Sequence, residues 1–216
     1  TAILITHTHA DHISGLQTLL KRCAAPVFTT ERAARELSWR LPGAETRLDA
    51  LDFGIPQSIG EFAVTAFPTS HDAPGSCGFR LDAAGGAVGV LTDTGYVTDE
   101  AADILEGVDL AVLEANHDIE TLRSGPYPYY LKQRILGAQG HLSNEDAARF
   151  AAVLAQSGTS EIILAHLSRE NNTPAMAQTA VERALSAAGV SPLLSVAPRD
   201  CLGPAHTVSR RSVCRR

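Results

Sequence analysis

Short apolar runs and longer amphipathic stretches alternate along the chain, a pattern typical of a mixed α/β protein. The predicted strands span 2–6, 26–29, 77–81, 87–92, 110–113 and 161–165, and 58–67 is predicted to be extended with a turn at Gly60. The predicted helices span 16–23, 30–39, 99–105, part of 127–136, 143–156 and 173–187. This alternation predicts an α/β fold.

Turn and cap residues support these boundaries. Hydroxyl residues that can cap free backbone N–H groups stand at the start of three predicted helices, at Thr30, Ser143 and Thr173. Ser143 is followed three residues later by Asp146, as in a capping box. The glycine-containing loop 82–86 predicts a hairpin between its flanking strands.

Length and composition predict one soluble globular domain. With 216 residues, 44% hydrophobic and 19% charged, the chain can bury a substantial core. We expect this domain to span 1–205 and a disordered basic tail to span 206–216, which contains four arginines. No apolar run approaches the length of a membrane helix, so we expect no membrane partner. The pattern predicts no particular oligomeric state.

Net charge bears on the binding partners of the protein, and cysteine spacing bears on its cellular compartment. The net charge of −6 argues against a generally basic nucleic-acid coat, but it excludes little, because a metal site carries its own local positive charge. The four cysteines form no C-x-x-C pair and show no disulfide spacing. Such usage is typical of a reducing compartment, so we expect a cytoplasmic protein.

A cluster of three histidines and one aspartate follows the first predicted strand, at His7, His9, Asp11 and His12. Neutral imidazole and carboxylate are the usual protein ligands of zinc-like cations. His7 and His9 can point to one cation, while Asp11 and His12, further round the turn, can point to another. The alternative is a polar loop that is rich in histidine by chance.

Four further candidates stand at the ends of predicted strands or helices. His71 precedes one strand of the hairpin and Asp93 follows the other, so the hairpin returns both residues to one edge of a sheet. Likewise, a helix and a strand separate His141 from His166. A lone loop histidine is more often a surface residue, and Asp93 alone could form an Asx turn. Together with the histidine cluster, these residues predict a metal centre, in which Asp93 could bridge two cations.

These residues resemble the metallo-β-lactamase superfamily, whose fold is an αβ/βα sandwich with a dinuclear site at the sheet edges. The resemblance implies two divalent metal ions, Zn or Mn. It implies that the first ion is held by His7, His9 and His71. It implies that the second ion is held by Asp11, His12 and His166, with Asp93 bridging the pair.

Four segments resemble the WalJ (YycJ) type, a nuclease-like subfamily. They are 114–118, 123–129, 140–144 and 165–172. The superfamily pattern places further strands before the histidine cluster, whereas this sequence opens inside a predicted strand. We therefore expect the N-terminal part of the domain to be missing.

The resemblance implies a phosphodiesterase, namely a 5′-to-3′ exonuclease on DNA with a metal-bridging hydroxide as its nucleophile. Two cations held close together lower the pKa of a shared water and clamp a phosphodiester. The sequence offers no defensible Ser-His-Asp arrangement and no phosphate-binding loop of the Walker type. The alternatives are a glyoxalase-like hydrolase of small acyl or thioester substrates and an inactive metal-binding fragment.

The remaining polar residues have candidate roles around the metals. His141 could bind a phosphate oxygen or protonate the leaving oxygen, and Asp11 could accept a proton from the water. Candidate substrate-binding residues are His141, Tyr127, Tyr129, Lys132, Arg134 and Asn171. Candidate residues that orient the ligands are Glu114, Asn116 and His117.

Each of these roles has a structural alternative. His141 could simply flank a helix. The tyrosines could pack a turn against the core, and the segment 114–118 could be a capped helix start.

Overall fold

The computed structural model describes residues 1–208 and arranges their strands in two sheets. The smaller, parallel sheet contains β1 (Ile3–Leu4), β2 (Val27–Thr30) and β3 (Leu48–Leu51) in that order. The larger sheet contains β4 (Gln57–Ile59), β5 (Phe62–Pro68), β6 (Cys77–Ala83), β7 (Gly86–Leu91), β8 (Leu110–Glu114), β9 (Glu161–Ala165) and β10 (Leu193–Val196). Its spatial order is β10-β9-β8-β7-β6-β5-β4.

Helices occupy the connections between strands. They are α1 (Ala10–Ile13), α2 (Leu16–Arg22), α3 (Glu31–Arg40), α4 (Asp99–Leu105), α5 (Ile119–Ser124), α6 (Tyr129–Leu136), α7 (Asn144–Gln156) and α8 (Pro174–Ala187). The predicted caps are present at Thr30, Ser143 and Thr173, whose hydroxyl oxygens each accept a backbone N–H bond. The Ser143 hydroxyl also donates to Asp146 at 2.6 Å, which completes the capping pair.

Three apolar clusters separate four layers. Leu16, Leu37 and Val27 belong to the cluster where α2 and α3 cover the smaller sheet. Phe28 of β2 and Phe79 of β6 belong to the cluster between the two sheets.

The largest cluster lies where the larger sheet meets α4, α7 and α8, and it contains Leu113, Leu154 and Val181. The order helix, sheet, sheet, helix is the predicted αβ/βα sandwich. Because each sheet packs against the other sheet on one face and against helices on the other, apolar side chains on both faces of each sheet are buried from water.

The strand directions fix where a site can form. β7, β8 and β9 are parallel to one another, and β5 shares their direction because β6 runs antiparallel to both β5 and β7. The carboxyl ends of these four strands therefore meet at one edge of the sheet. Ligand sites in α/β sheets form at such ends.

The elements that the sequence did not predict are short, and two of them are edge strands. β3 has two exposed residues and β10 has one, and each includes a polar residue, so neither forms a continuous apolar run. The short helices α1 and α5 were also not predicted. The hairpin strands β6 and β7 extend further than expected, pairing up to Ala83 and Gly86.

Two predictions concern the end of the chain and the membrane. Most of the predicted tail, residues 209–216 with Cys214, lies outside the described residues, while His206 contacts Glu161 through its ring nitrogen Nδ1. Within residues 1–208, none of the helices is both long and apolar enough to cross a membrane.

Candidate metal centre

The histidine cluster lies where the chain leaves β1 and enters α1. His7 is fully buried, and its Nδ1 lies 3.1 Å from the hydroxyl oxygen of Thr6. The same hydroxyl lies 3.3 Å from Nδ1 of His12. Because Thr6 engages the Nδ1 side of both rings, the Nε2 atoms of His7 and His12 are left for other partners.

One group of potential ligands contains His7, His9 and His71, whose ligand atoms all lie within 4.8 Å of one another. His71 follows β5, and its Nδ1 lies 3.0 Å from the carbonyl oxygen of Gly140. That contact turns Nε2 of His71 toward Nδ1 of His9, 3.2 Å away. This is the trio that the resemblance implied for one ion.

A second group contains Asp11, His12 and His166, again with ligand atoms within 4.8 Å. Oδ2 of Asp11 lies 3.6 Å from Nε2 of His12 and 3.6 Å from Nε2 of His166. Asp93, at the end of β7, lies between the groups. Its Oδ2 is 3.3 Å from Nε2 of His12, and its Oδ1 is 3.9 Å from Nε2 of His71.

Unpaired buried atoms in this cluster fit a divalent cation. Within residues 1–208, Nε2 of His7 and Oδ2 of Asp93 are buried without a hydrogen-bond partner. Buried polar atoms normally have partners, and a cation would supply one to both. Burial lowers the pKa of His7 to about 3, which keeps its imidazole neutral, as a metal ligand requires.

The charge state of Asp93 fits as well. Burial by itself raises the pKa of this carboxyl, but the imidazoles of His12 and His166 outweigh burial and hold the pKa below its ordinary value. Burial likewise raises the pKa of the Asp11 carboxyl, and His12 outweighs it. Carboxylates together with imidazoles form a donor set typical of zinc-like ions.

The backbone is strained at two of these residues. Asp93 and His166 have positive φ angles of 59° and 57°, and they are the only residues other than glycine with positive φ in the described chain. This left-handed region costs free energy for residues with a Cβ atom, and such strain clusters at functional sites. His166 directly follows β9 and Asp93 lies two residues after the parallel strand β7, where the chain turns to point each side chain into the site.

Glu114 ties two histidines of the site together. It ends β8, is fully buried, and accepts hydrogen bonds from Nδ1 of His141 at 2.8 Å and Nδ1 of His166 at 2.9 Å. Its other oxygen accepts the backbone N–H groups of Thr94 and Leu142 at 3.0 and 3.2 Å. A carboxylate that holds Nδ1 leaves Nε2 free to face a metal or a substrate.

The same carboxylate sets the protonation of both rings. Burial alone would lower the pKa of His166, but the hydrogen bond to Glu114 and the charge of Asp93 raise it to about 9. Burial opposes protonation of His141 too, and the hydrogen bond to Glu114 raises its pKa above the ordinary value. The surroundings of both rings therefore favour positive charge, whether a proton or a metal ion carries it.

A pocket opens above this cluster, and three predicted substrate-binding residues line it, namely His141, Tyr127 and Arg134. Tyr127 and Arg134 line the pocket together with His141 and His166, while Leu131 and Ile135 of α6 add an apolar wall. Nε of Arg134 donates to Oδ2 of Asp72 at 2.5 Å, which orients the guanidinium over the site.

Other predicted residues lie away from this pocket. Tyr129 and Lys132 line a separate surface groove on α6, and Nζ of Lys132 donates to the carbonyl oxygens of Arg123 and Gly125, both at 2.7 Å. Asn171 is fully buried and is not among the residues that line this pocket.

The residues predicted to orient the ligands differ in what they contact. Asn116 lines the pocket, and its Nδ2 donates to the carbonyl oxygen of His166 at 2.9 Å. His117 is buried, and neither ring nitrogen has a hydrogen-bond partner within residues 1–208. Burial lowers its pKa to about 4. The alternative of a helix start is also present, because Asp118 caps α5 by accepting the Thr121 N–H at 2.8 Å.

Sequence reasoning missed two residues of the site. Thr6 orients two imidazoles, and Asp72 lies 3.6 Å from Nε2 of both His9 and His71. Each residue is adjacent in sequence to a predicted ligand, His7 or His71, and this adjacency could have identified it.

Comparison with known proteins reveals relatives across most of the chain. The family described as beta-lactamase superfamily domain matches residues 1–167. Exodeoxyribonuclease YycJ from Bacillus anthracis is 36% identical over 192 residues, which cover 88% of this chain and 72% of that protein. Exodeoxyribonuclease WalJ from Streptococcus pneumoniae serotype 2 (strain D39 / NCTC 7466) is 39% identical over 190 residues, which cover 87% and 71%.

A solved structure agrees with this family. The metallo-beta-lactamase fold protein YhfI from Bacillus subtilis matches with a TM-score of 0.69 and 20% identity, covering 91% of this chain and 74% of that chain. This likeness concerns the fold, whereas the sequence matches identify the family. The chain belongs to the beta-lactamase superfamily, has the metallo-β-lactamase fold, and is a metal-dependent hydrolase.

Proposed function

We propose that this hydrolase is a dinuclear phosphodiesterase that degrades DNA from its 5′ end. The observation that carries the proposal is the position of Asp93 between two groups of three ligands, below a pocket lined by His141, Tyr127 and Arg134. Relatives named exodeoxyribonuclease support a nucleic-acid substrate and an exonuclease activity.

The ligand assignment follows the two groups. His7, His9 and His71 would hold one divalent ion; Asp11, His12 and His166 would hold the other; and Asp93 would contact both. When bound, such a pair of ions supplies a water of lowered pKa and stabilises the charge that develops on the phosphodiester. The donor set suits Zn or Mn, and we propose one of these as the resident metal.

The side chains of the pocket then have distinct tasks. Nδ1 of His141 bonds to Glu114, so its Nε2 remains to donate a proton to the leaving oxygen. The Arg134 guanidinium can pair with a phosphate oxygen, and the Tyr127 ring can stack on a base. Asp11 can accept a proton from the attacking water, because its side chain is largely exposed at the pocket.

The domain and its compartment belong to the same proposal. We place the catalytic domain at 1–205 and treat the following residues as a tail. The free cysteines Cys23, Cys77 and Cys201 agree with a reducing cytoplasm.

A side-by-side assay tests the function. The protein loaded with Zn or Mn is incubated separately with single-stranded DNA labelled at either end, with bis-p-nitrophenyl phosphate and with a glutathione thioester. We expect a 5′ label to be released before a 3′ label, hydrolysis of the phosphodiester, and no thioester cleavage. Asp93→Ala serves as the control that removes the shared carboxylate, and it should be inactive.

Two results would contradict the proposal. Thioester cleavage without phosphodiester cleavage would establish the acyl-hydrolase alternative. Binding of metal without any cleavage would establish the inactive alternative.

A further inference from the structure

A second groove begins at the same metal ligands and follows the C-terminal segment of the described chain. Its charged lining consists of Asp11, Arg169 and Arg199, and residues 196–198 form an apolar part of its wall. We propose that this groove binds the sugar-phosphate backbone of a single strand beyond the nucleotide that occupies the metal centre. The inference rests on the proposed function and specifies where the rest of the substrate lies.

The two grooves are continuous. Asp11, His166, Leu167 and Arg169 line both the pocket beside α6 and this second groove. A strand whose phosphate binds at the ion that Asp11 and His166 would hold can therefore continue into the second groove without leaving the surface. Arg169 stands where the two grooves meet.

The charges of the second groove complement a polyanion. Two arginines and one carboxylate, that of Asp11 at the metal end, line it, although the whole chain carries a net charge of −6. Arg169 pairs with Asp200 at 2.5 Å, but the two side chains are 63% and 70% exposed. Because such an exposed pair contributes little, a phosphate can replace Asp200 as the partner of Arg169.

Arg199 is held in place by the loop that carries a metal ligand. Its Nη2 donates to the carbonyl oxygens of Leu167 and Ser168 at 3.0 and 3.1 Å. A guanidinium has five N–H donors, so these bonds leave others for a phosphate. Arg199 therefore links the groove to the loop after His166.

The uncharged residues of the second groove suit the sugar-phosphate backbone of DNA better than its bases. His166 is the only aromatic residue among those that line this groove in the described chain. Val196, Ala197 and Pro198 offer small apolar contacts that suit a sugar, whereas the first pocket offers the Tyr127 ring. Binding in the second groove should therefore depend on strand length and salt but not on base sequence.

Replacing Arg169 tests this assignment. The metal-loaded wild type, Arg169→Ala and Arg35→Ala are compared on single-stranded DNA of 2, 4, 8 and 16 nucleotides and on bis-p-nitrophenyl phosphate. Arg35 is the matched control because it is also exposed and paired with a carboxylate, Glu31, but lines neither groove.

We expect kcat/KM of the wild type to rise with strand length. In Arg169→Ala, KM for the 16-mer should rise about tenfold, the preference for the 16-mer over bis-p-nitrophenyl phosphate should fall by a similar factor, and the log-log salt slope should decrease by about one. Arg35→Ala should match the wild type.

The outcomes separate this groove from the proposed function. A wild type that cleaves DNA equally well at all lengths, or an Arg169→Ala protein with an unchanged KM, would overturn the groove while leaving the nuclease activity intact. If Arg169→Ala lost kcat/KM equally on DNA and on bis-p-nitrophenyl phosphate, Arg169 would support the metal centre and the groove assignment would be overturned. A wild type that hydrolyses only bis-p-nitrophenyl phosphate would overturn the nucleic-acid substrate, and the groove with it.

Discussion

Replacing Glu114 by Gln should weaken metal binding although the side chain keeps its size. One oxygen of Glu114 accepts from Nδ1 of both His141 and His166, and the other accepts from two backbone N–H groups. All four partners are donors. Glutamine has one oxygen and one NH2 group, so it can satisfy only half of them.

The magnitude follows from the two possible orientations of the new amide. If the NH2 group faces the backbone, the N–H groups of Thr94 and Leu142 lose their acceptor, at about 1–3 kcal/mol for each buried donor. If it faces the imidazoles, His141 and His166 must move their proton from Nδ1 to Nε2, the atom that His166 would use for the metal. Loss of such support lowers metal affinity by about 10- to 100-fold.

Competition with a chelating indicator measures this change in the dissociation constant, and thermal melting with and without metal checks the fold. Glu120→Gln is the control, since Glu120 is exposed and pairs only with Arg123 in the described chain. If Glu114→Gln folds and binds metal as tightly as the wild type, Glu114 does not orient the ligands and the reasoning fails.

Further substitutions separate chemistry, metal binding and packing. His141→Ala should lose most phosphodiesterase turnover but keep its metal, as measured by elemental analysis, whereas His9→Ala should lose both turnover and metal. Full activity in His141→Ala would show that His141 does not take part in the reaction. Gly95→Ala should lower the melting temperature, because a Cβ there collides with a backbone carbonyl oxygen, while Gly15→Ala, which has open space, should melt near the wild type. Phe67→Ala removes a fully buried ring and should cost about 3–5 kcal/mol by urea unfolding; a cost under about 1 kcal/mol would contradict the assigned core.

The sequence revealed the ligands because they stand next to strands that are easy to recognise. β7, β8 and β9 form apolar runs, and parallel strands bring their carboxyl ends together at one edge. Asp93 and His166 could therefore be predicted to meet the histidine cluster from their order along the chain.

Side-chain direction on α6 could not be predicted in the same way. Successive helix residues are rotated by about 100°, so the face that reaches the pocket depends on how the helix packs. Arg134 faces the metal centre, whereas Tyr129 and Lys132 face a separate groove. The sequence analysis predicted that all three bind substrate, because their residue types suit nucleic acid. Residue type does not indicate on which face of α6 a side chain lies.

The edge strands and the contacts that orient the metal ligands could not be predicted from the hydrophobic pattern of the sequence. β10 has one strand neighbour and an exposed first residue, so it lacks the apolar run that identifies an inner strand. The shared contact of Glu114 depends on β8 lying between β7 and β9, a matter of sheet order. The sequence could suggest Glu114 as a supporting residue but not that it joins His141 to His166.

Metal stoichiometry tests the two-ion site most directly. Elemental analysis of the folded protein after removal of excess metal should return two divalent ions per chain, because three ligands stand on each side of Asp93. Asp93→Ala should reduce the bound metal and abolish hydrolysis of bis-p-nitrophenyl phosphate. A single tightly held ion whose content is unchanged in Asp93→Ala would contradict the bridged pair.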